Sequence, residues 1–184
     1  MFNYPESLNP THTEVFNLEN TATQIPKCVI KFDEWKGVPI KETFGGKPVV
    51  SVGDKPMFAE LAIMTLFQMG GWQSRWIETY GKGGMSPIYL SEWKDDKFKN
   101  QKADPIMDEK ILKVLSDIAK LNGNSFSGCW DVIGWRDDRI IFAESKRMKK
   151  DKIRQTQVNW LSAGIKYGLK PDNFLIVQWD ISNK

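Results

Sequence analysis

Histidine is nearly missing from this chain of 184 residues: only His12 is present, alongside two cysteines, Cys28 and Cys129. One imidazole excludes hydrolytic schemes built on two or more. His12 lies in a polar N-terminal segment far from any strand–turn–helix signal, so it does not suit a Ser-His-Asp triad and reads as an ordinary solvated residue. Two thiols and one imidazole cannot assemble a usual structural zinc site. Nor do two cysteines make a disulfide framework, which fits a reducing compartment. The sequence has no run of 18 apolar residues and no basic-then-apolar leader, so the expectation is a soluble protein without membrane contact, cytoplasmic, or nuclear in a eukaryote. Internal repeats and low-complexity tracts are absent. A net charge of +3 excludes a global polycation, and 41% hydrophobic with 27% charged residues is the balance of one globular domain with a single good core.

The first 25 residues, rich in Asn, Thr and Pro, read as irregular or loosely attached. Val29 to Phe32 and Val49 to Val52 read as short strands, with Gly45-Gly46-Lys47-Pro48 as punctuation between them. Asp54 and Pro56 have the chemistry of a helix start, and Met57 to Met69 is apolar almost all round, which predicts a buried helix ended by Gly70-Gly71. Glu60 sits among Met57, Ile63, Met64 and Phe67 on that helix, where a carboxylate needs a lysine, an arginine, a metal or a proton. Trp72 to Tyr80 alternates as a strand; its tryptophans beside Arg75 suit the core better than stacking on bases. Gly81-Lys82-Gly83-Gly84 is a loop without the spacing of a phosphate-cradling P-loop. Residues 91–105 form a solvated connection. Asp108 then caps an amphipathic helix through Asn122, with Ile111, Leu112, Leu115, Ile118 and Ala119 on one face.

The stretch from Asp131 to Leu161 sets pattern against charge. Trp130 to Trp135 and Arg139 to Arg147 read as two strands of a hairpin joined by Arg136-Asp137-Asp138. Alternation in the second puts Ile140, Phe142, Glu144 and Lys146 on one face, and the first strand can bring Asp131 alongside. A helix from Asp151 to Tyr167 carries Ile153, Trp160, Leu161 and Gly164 inward, and Gln157 on that same face wants a hydrogen-bond partner. A last strand is expected from Asn173 to Trp179. Residues 136–154 hold eight Lys/Arg against four Asp/Glu. By itself such a run is as well explained as a solvated face; beside paired carboxylates it suits phosphates, through Arg147, Lys149, Lys150, Lys152 and Arg154.

Two carboxylates on adjacent strands suit a hard divalent cation, since Mg²⁺ takes one or two carboxylates and completes its shell with water and phosphate oxygens. A nearby lysine can position or help deprotonate water and offset charge in phosphodiester hydrolysis. An Asp followed about a dozen residues later by Glu-x-Lys is common by chance. Here it stands in a longer order: Glu60, Asp131, Glu144-Ser145-Lys146, Asp151-Lys152-Ile153, Gln157 and Trp160-Leu161. That order and register resemble the PD-(D/E)xK nucleases and, within them, the VRR-NUC (virus-type replication-repair nuclease) domains, over roughly residues 55 to 180. Two positions depart from the pattern: Trp130 stands where a proline is expected and Arg147 where a glycine is frequent.

The resemblance implies an α/β (α+β) fold with a restriction-endonuclease-like core, a mixed central sheet flanked by helices. Residues 51–184 would form the nuclease domain and residues 1–50 an N-terminal extension with short strands. It implies Mg²⁺ or Mn²⁺ as cofactor, Asp131, Glu144 and Glu60 at the metal, Lys146 as catalytic lysine and Gln157 as accessory residue. The implied partner is nucleic acid, with DNA at ends, flaps or junctions as candidate substrates, and the fold admits either a monomer or a homodimer. Two other readings stand beside this one. One is a catalytically idle nucleic-acid-binding module of the same fold; the other is a structural protein whose charges merely pair in the core.

Overall fold

A computed structural model describes residues 3–182. Among them nine strands form one sheet: β1 (His12–Leu18), β2 (Thr21–Glu34), β3 (Val50–Val52), β4 (Lys55–Met57), β5 (Gln73–Glu78), β6 (Ile88–Leu90), β7 (Val132–Arg136), β8 (Arg139–Arg147) and β9 (Phe174–Ser182). The order is β4-β3-β2-β9-β8-β7-β5-β6, with β1 paired to β2. β9 runs parallel to both its neighbours, β2 and β8, and the remaining pairs are antiparallel. Three α-helices among the described residues complete the architecture: α1 (Ala59–Met69), α2 (Glu109–Leu121) and α3 (Gln155–Tyr167). The fold is mixed, with a large sheet and helices against it. None of these helices is long and apolar enough to cross a membrane.

The central strands are apolar on both sides, and their period of two divides the core into halves. Val132, Ile141, Ala143, Leu175, Val177 and Trp179 face α1 with Leu61, Ala62, Ile63 and Phe67. Ile133, Phe142, Phe174 and Ile176 face α2 and α3 with Ile111, Leu115, Ile118, Trp160 and Leu161. A strand covered on both faces reads as an unbroken apolar run, which is what Ile140 to Ala143 and Phe174 to Val177 are. A charge in the covered middle of such a strand, as at Glu144, is therefore buried between layers. Trp72 and Trp76 belong to the core. Asp108 caps α2 as its chemistry predicts, accepting from the N–H groups of Lys110 and Ile111.

Three expectations need correction. Residues 12–25 are not loose: β1 and the start of β2 form a hairpin whose turn places Glu19 and Asn20 at φ 47° and 68°. The threonines that suggested irregularity suit strands equally well. Asp54 does not cap a helix. Gly53 and Asp54 both have positive φ, 56° and 57°, between the paired residues Val52 and Lys55, the arrangement of a tight hairpin turn. Pro56 lies in β4, a sheet-edge strand where a missing N–H is tolerated. α1 therefore starts later, at Ala59, so Glu60 stands in its first turn rather than mid-helix. Likewise α3 starts at Gln155 rather than Asp151: Asp151 Oδ2 instead accepts the N–H of Arg147 (3.0 Å), and Lys149 takes φ 60°. The basic segment before α3 is thus an exposed loop.

Candidate functional site

The β7–β8 ladder ends at the pair Val132–Ala143. Asp131 is the next residue on one strand and Glu144 the next on the other, so the two carboxylates stand where the strands part. β8 continues beyond this point only with β9, through Arg147–Trp179. The N–H of Ser145 donates to Asp131 Oδ2 (2.9 Å), and the N–H of Ile77 donates to the Asp131 carbonyl (2.7 Å). Asp131 is thereby tied to β8 and β5 at once.

Glu144 is fully buried. Its Oε1 accepts from Lys146 Nζ (2.9 Å) and Gln157 Nε2 (2.5 Å), while its Oε2, also buried, meets no donor, and the Glu144 carboxyl lies within hydrogen-bond reach of the Asp131 carboxylate. Gln157 links three parts of the site. Its Oε1 accepts from the Arg154 N–H (2.9 Å), closing the first turn of α3, and from Lys146 Nζ (3.2 Å). Trp130 is buried and donates from Nε1 to the Gln157 carbonyl (3.2 Å), which holds the same turn in place. Gly128 lets the preceding loop approach that turn: it has φ 80°, and a Cβ there would lie 2.1 Å from the Thr156 carbonyl oxygen.

Asp131, Glu144, Lys146, Arg154 and Gln157 line a cleft of about 1200 Å³ that also takes in Glu60, Glu78, Lys47 and Cys129. Lys47, passed over within a glycine-rich punctuation, forms an ion pair with Glu60 and lies 5.4 Å from the Trp76 ring. Glu78 continues the inward face of β5. No periodicity marks Lys47; for Glu78 the signal was an acid on the same strand face as Trp76. Of the basic residues, Arg147, Lys150, Lys152 and Arg154 line the cleft, whereas Lys149 is exposed outside its lining. Arg147 is partly drawn away, toward Asp180 (3.9 Å) and the Trp179 ring (5.7 Å).

The electrostatics follow from burial. Desolvation, with Asp131 adding to it and Lys146 opposing, holds the Glu144 carboxyl well above the usual carboxylate range. Burial likewise raises Glu60 against the pull of Lys47, with Asp131 adding to the rise. Glu78 is raised by burial against Lys47. Burial works against charge on Lys47, yet its pKa is raised because Glu60, Asp131 and Glu78 act on it together. The Cys129 thiol is pushed up by burial, then by Glu144 and Asp131. Both cysteines are free.

Glu60, Asp131, Glu144, Lys146 and Gln157, spread over nearly a hundred residues of chain, thus share one cleft. Among the described residues no three His, Cys, Asp or Glu side chains form a ready ligating group; Glu60 is engaged by Lys47 instead. No protein-family profile, curated protein or solved structure matches this chain.

Proposed function

We propose that this chain is a Mg²⁺- or Mn²⁺-dependent nuclease that hydrolyses phosphodiester bonds of DNA on a restriction-endonuclease-like core. The observation that carries the reading is Glu144 Oε2, a buried carboxylate oxygen without a donor, beside Asp131 and a lysine in a cleft with basic residues in its lining. An orphaned buried oxygen of this kind calls for a ligand. The donor set fits a hard cation: two carboxylates are enough for Mg²⁺ when water and phosphate oxygens complete the shell. Glu60 and Glu78 line the same cleft, so the two carboxylates do not stand alone there. Asp131 and Glu144 would hold the cation, with Glu60 available if Lys47 lets go. When bound, the ion supplies a Lewis acid for charge building on a phosphate group.

The chain's own groups do the rest. Lys146 is held by Glu144 Oε1 and Gln157 Oε1, so its ammonium is fixed at the cleft floor, where it can orient a water and offset transition-state charge. Gln157 sets Lys146 and Glu144 relative to each other. Lys150, Lys152 and Arg154 supply positive charge for the phosphates on either side of the scissile one.

The test uses labelled single-stranded, duplex and branched DNA with Mg²⁺, Mn²⁺ or chelator. Cleavage should require the metal, and Lys146→Ala should lower its rate on the order of 10²–10⁴-fold, the usual contribution of a positioned acid–base group. Cleavage that survives Lys146→Ala, or no cleavage of any substrate, overturns the proposal. Salt-sensitive DNA binding without cleavage would instead identify an idle binding module.

A further inference from the structure

The cleft lining differs in character from one part to another. One part is basic: Lys150, Lys152 and Arg154. Another is aromatic and glycine-rich, running from Phe44 to Lys47 and again through Tyr80 and Gly81. Tyr80 is 72% exposed although it follows a buried strand. It is nevertheless anchored. Its backbone N–H donates to Glu78 Oε1 (2.8 Å), which ties it to the acidic part of the cleft, and its ring meets Phe44 at 5.9 Å with an interplanar angle of 85°.

Phe44 is itself held hard. It stacks on Phe98 (4.7 Å, 24°) and contacts Trp76 and Trp93. Its φ of 44° is a costly conformation for a bulky residue, followed by Gly45 and Gly46 at φ 79° and 82°. Backbone strain of this kind persists where the surroundings over-determine it, commonly at ligand clamps. The core uses Phe44 as the base of a support and leaves Tyr80 on top of it.

A tyrosine has few torsions to freeze, so an anchored, exposed ring offers flat contact area at low entropic cost. In a cleft whose lining also carries basic side chains, the flat partner is a nucleobase. Inside a duplex every base is covered on both faces by its neighbours, so a protein ring can stack only on a base that is unpaired or terminal. We infer that Tyr80, propped on Phe44, stacks one unpaired nucleobase while Lys150, Lys152 and Arg154 hold the adjoining phosphates, so that the cleft accepts a single-stranded segment such as an overhang rather than an uninterrupted duplex. The inference rests on the nuclease reading.

The test measures fluorescence anisotropy of labelled DNA binding to the full chain in a Lys146→Ala background. Three DNAs are compared: a single strand, a blunt duplex and a duplex with a single-stranded overhang. Tyr80→Ala should weaken binding of the single strand and the overhang about tenfold, within the usual worth of one stacked base, and change the blunt duplex by less than about twofold. Tyr80→Phe, which keeps the ring, should restore the affinity. Native-like affinity of Tyr80→Ala for all three DNAs overturns the stacking role alone, and so does an equal loss on all three. Failure of the Lys146→Ala protein with Tyr80 intact to bind any of the DNAs overturns the nuclease reading along with it.

Discussion

Adding Mn²⁺ to the cation-free protein should raise its melting temperature, and the rise should grow with pH. The reason lies in Glu144. It is fully buried, and when ionised its Oε2 lacks a donor, a defect that costs about 1–3 kcal/mol in a folded protein. Burial and Asp131 raise its carboxyl, so the folded state holds this proton more tightly than the unfolded chain does. The sign follows: stability from this group is fully present below the ordinary carboxylate pKa of about 4.3 and is lost as pH climbs through the raised folded value. A divalent cation competes with that proton, so it binds better as pH rises and releases protons as it binds. At a concentration of 100 times its dissociation constant, Mn²⁺ contributes about 2.7 kcal/mol. In a chain of this size, where each kcal/mol moves the melting temperature by about 2–4 °C, that is roughly 5–10 °C. Glu144→Gln keeps an oxygen to accept from Lys146 and Gln157 but cannot titrate. The variant should lose the Mn²⁺ gain and part of the fall in stability with pH, and Asp131→Asn should lose the gain as well. Differential scanning calorimetry at pH 6, 7 and 8, with Mn²⁺ or with chelator, reads all of this. A gain that is absent, that shrinks as pH rises, or that survives Glu144→Gln refutes the reasoning.

Gln157→Leu removes the link between Lys146, Glu144 and the first turn of α3. The proposed nuclease activity should fall roughly 10–100-fold, as activity does when groups that orient a metal site are lost; steady-state cleavage with Mn²⁺ measures it, with circular dichroism showing the fold intact. Gly128→Ala combines an unfavourable φ with a Cβ 2.1 Å from the Thr156 carbonyl oxygen. It should cost about 2–5 kcal/mol in urea unfolding, the sum of a left-handed backbone and an overpacked contact. Replacing Lys150, Lys152 and Arg154 together with Ala should lower the slope of log affinity against log salt by up to about one per side chain, leaving the melting temperature unchanged; an unaltered slope would remove them from the phosphate path.

The chemistry of the cleft was easier to read from the sequence than the shape around it. Glu144 and Lys146 stand out in a strand otherwise made of Ile, Phe and Ala, because burial makes charge conspicuous there. Gln157 stands out on the packed face of α3 for the same reason. Local signals failed where one composition serves two structures. Gly-Asp before Lys-Pro suits both a helix start and a hairpin turn, and only the pairing of β3 with β4 chose the turn. The Thr-rich N-terminus became strand because residues 12–18 fold back antiparallel on residues 21–27, and β2 then continues along β9 from Lys27.

By itself, then, the sequence determined which residues carry charge into apolar strands, and the cap and amphipathic face of α2. These are set by neighbours within a few positions. The tertiary structure alone decided that Lys47 reaches Glu60, that Glu78 and Cys129 join the same cleft, and that Tyr80 stands on Phe44. It also decided the state of the acids, which depends on how many carboxylates share two lysines behind a desolvating core. Such quantities arise from distances across the sheet, and no local pattern along the chain records them.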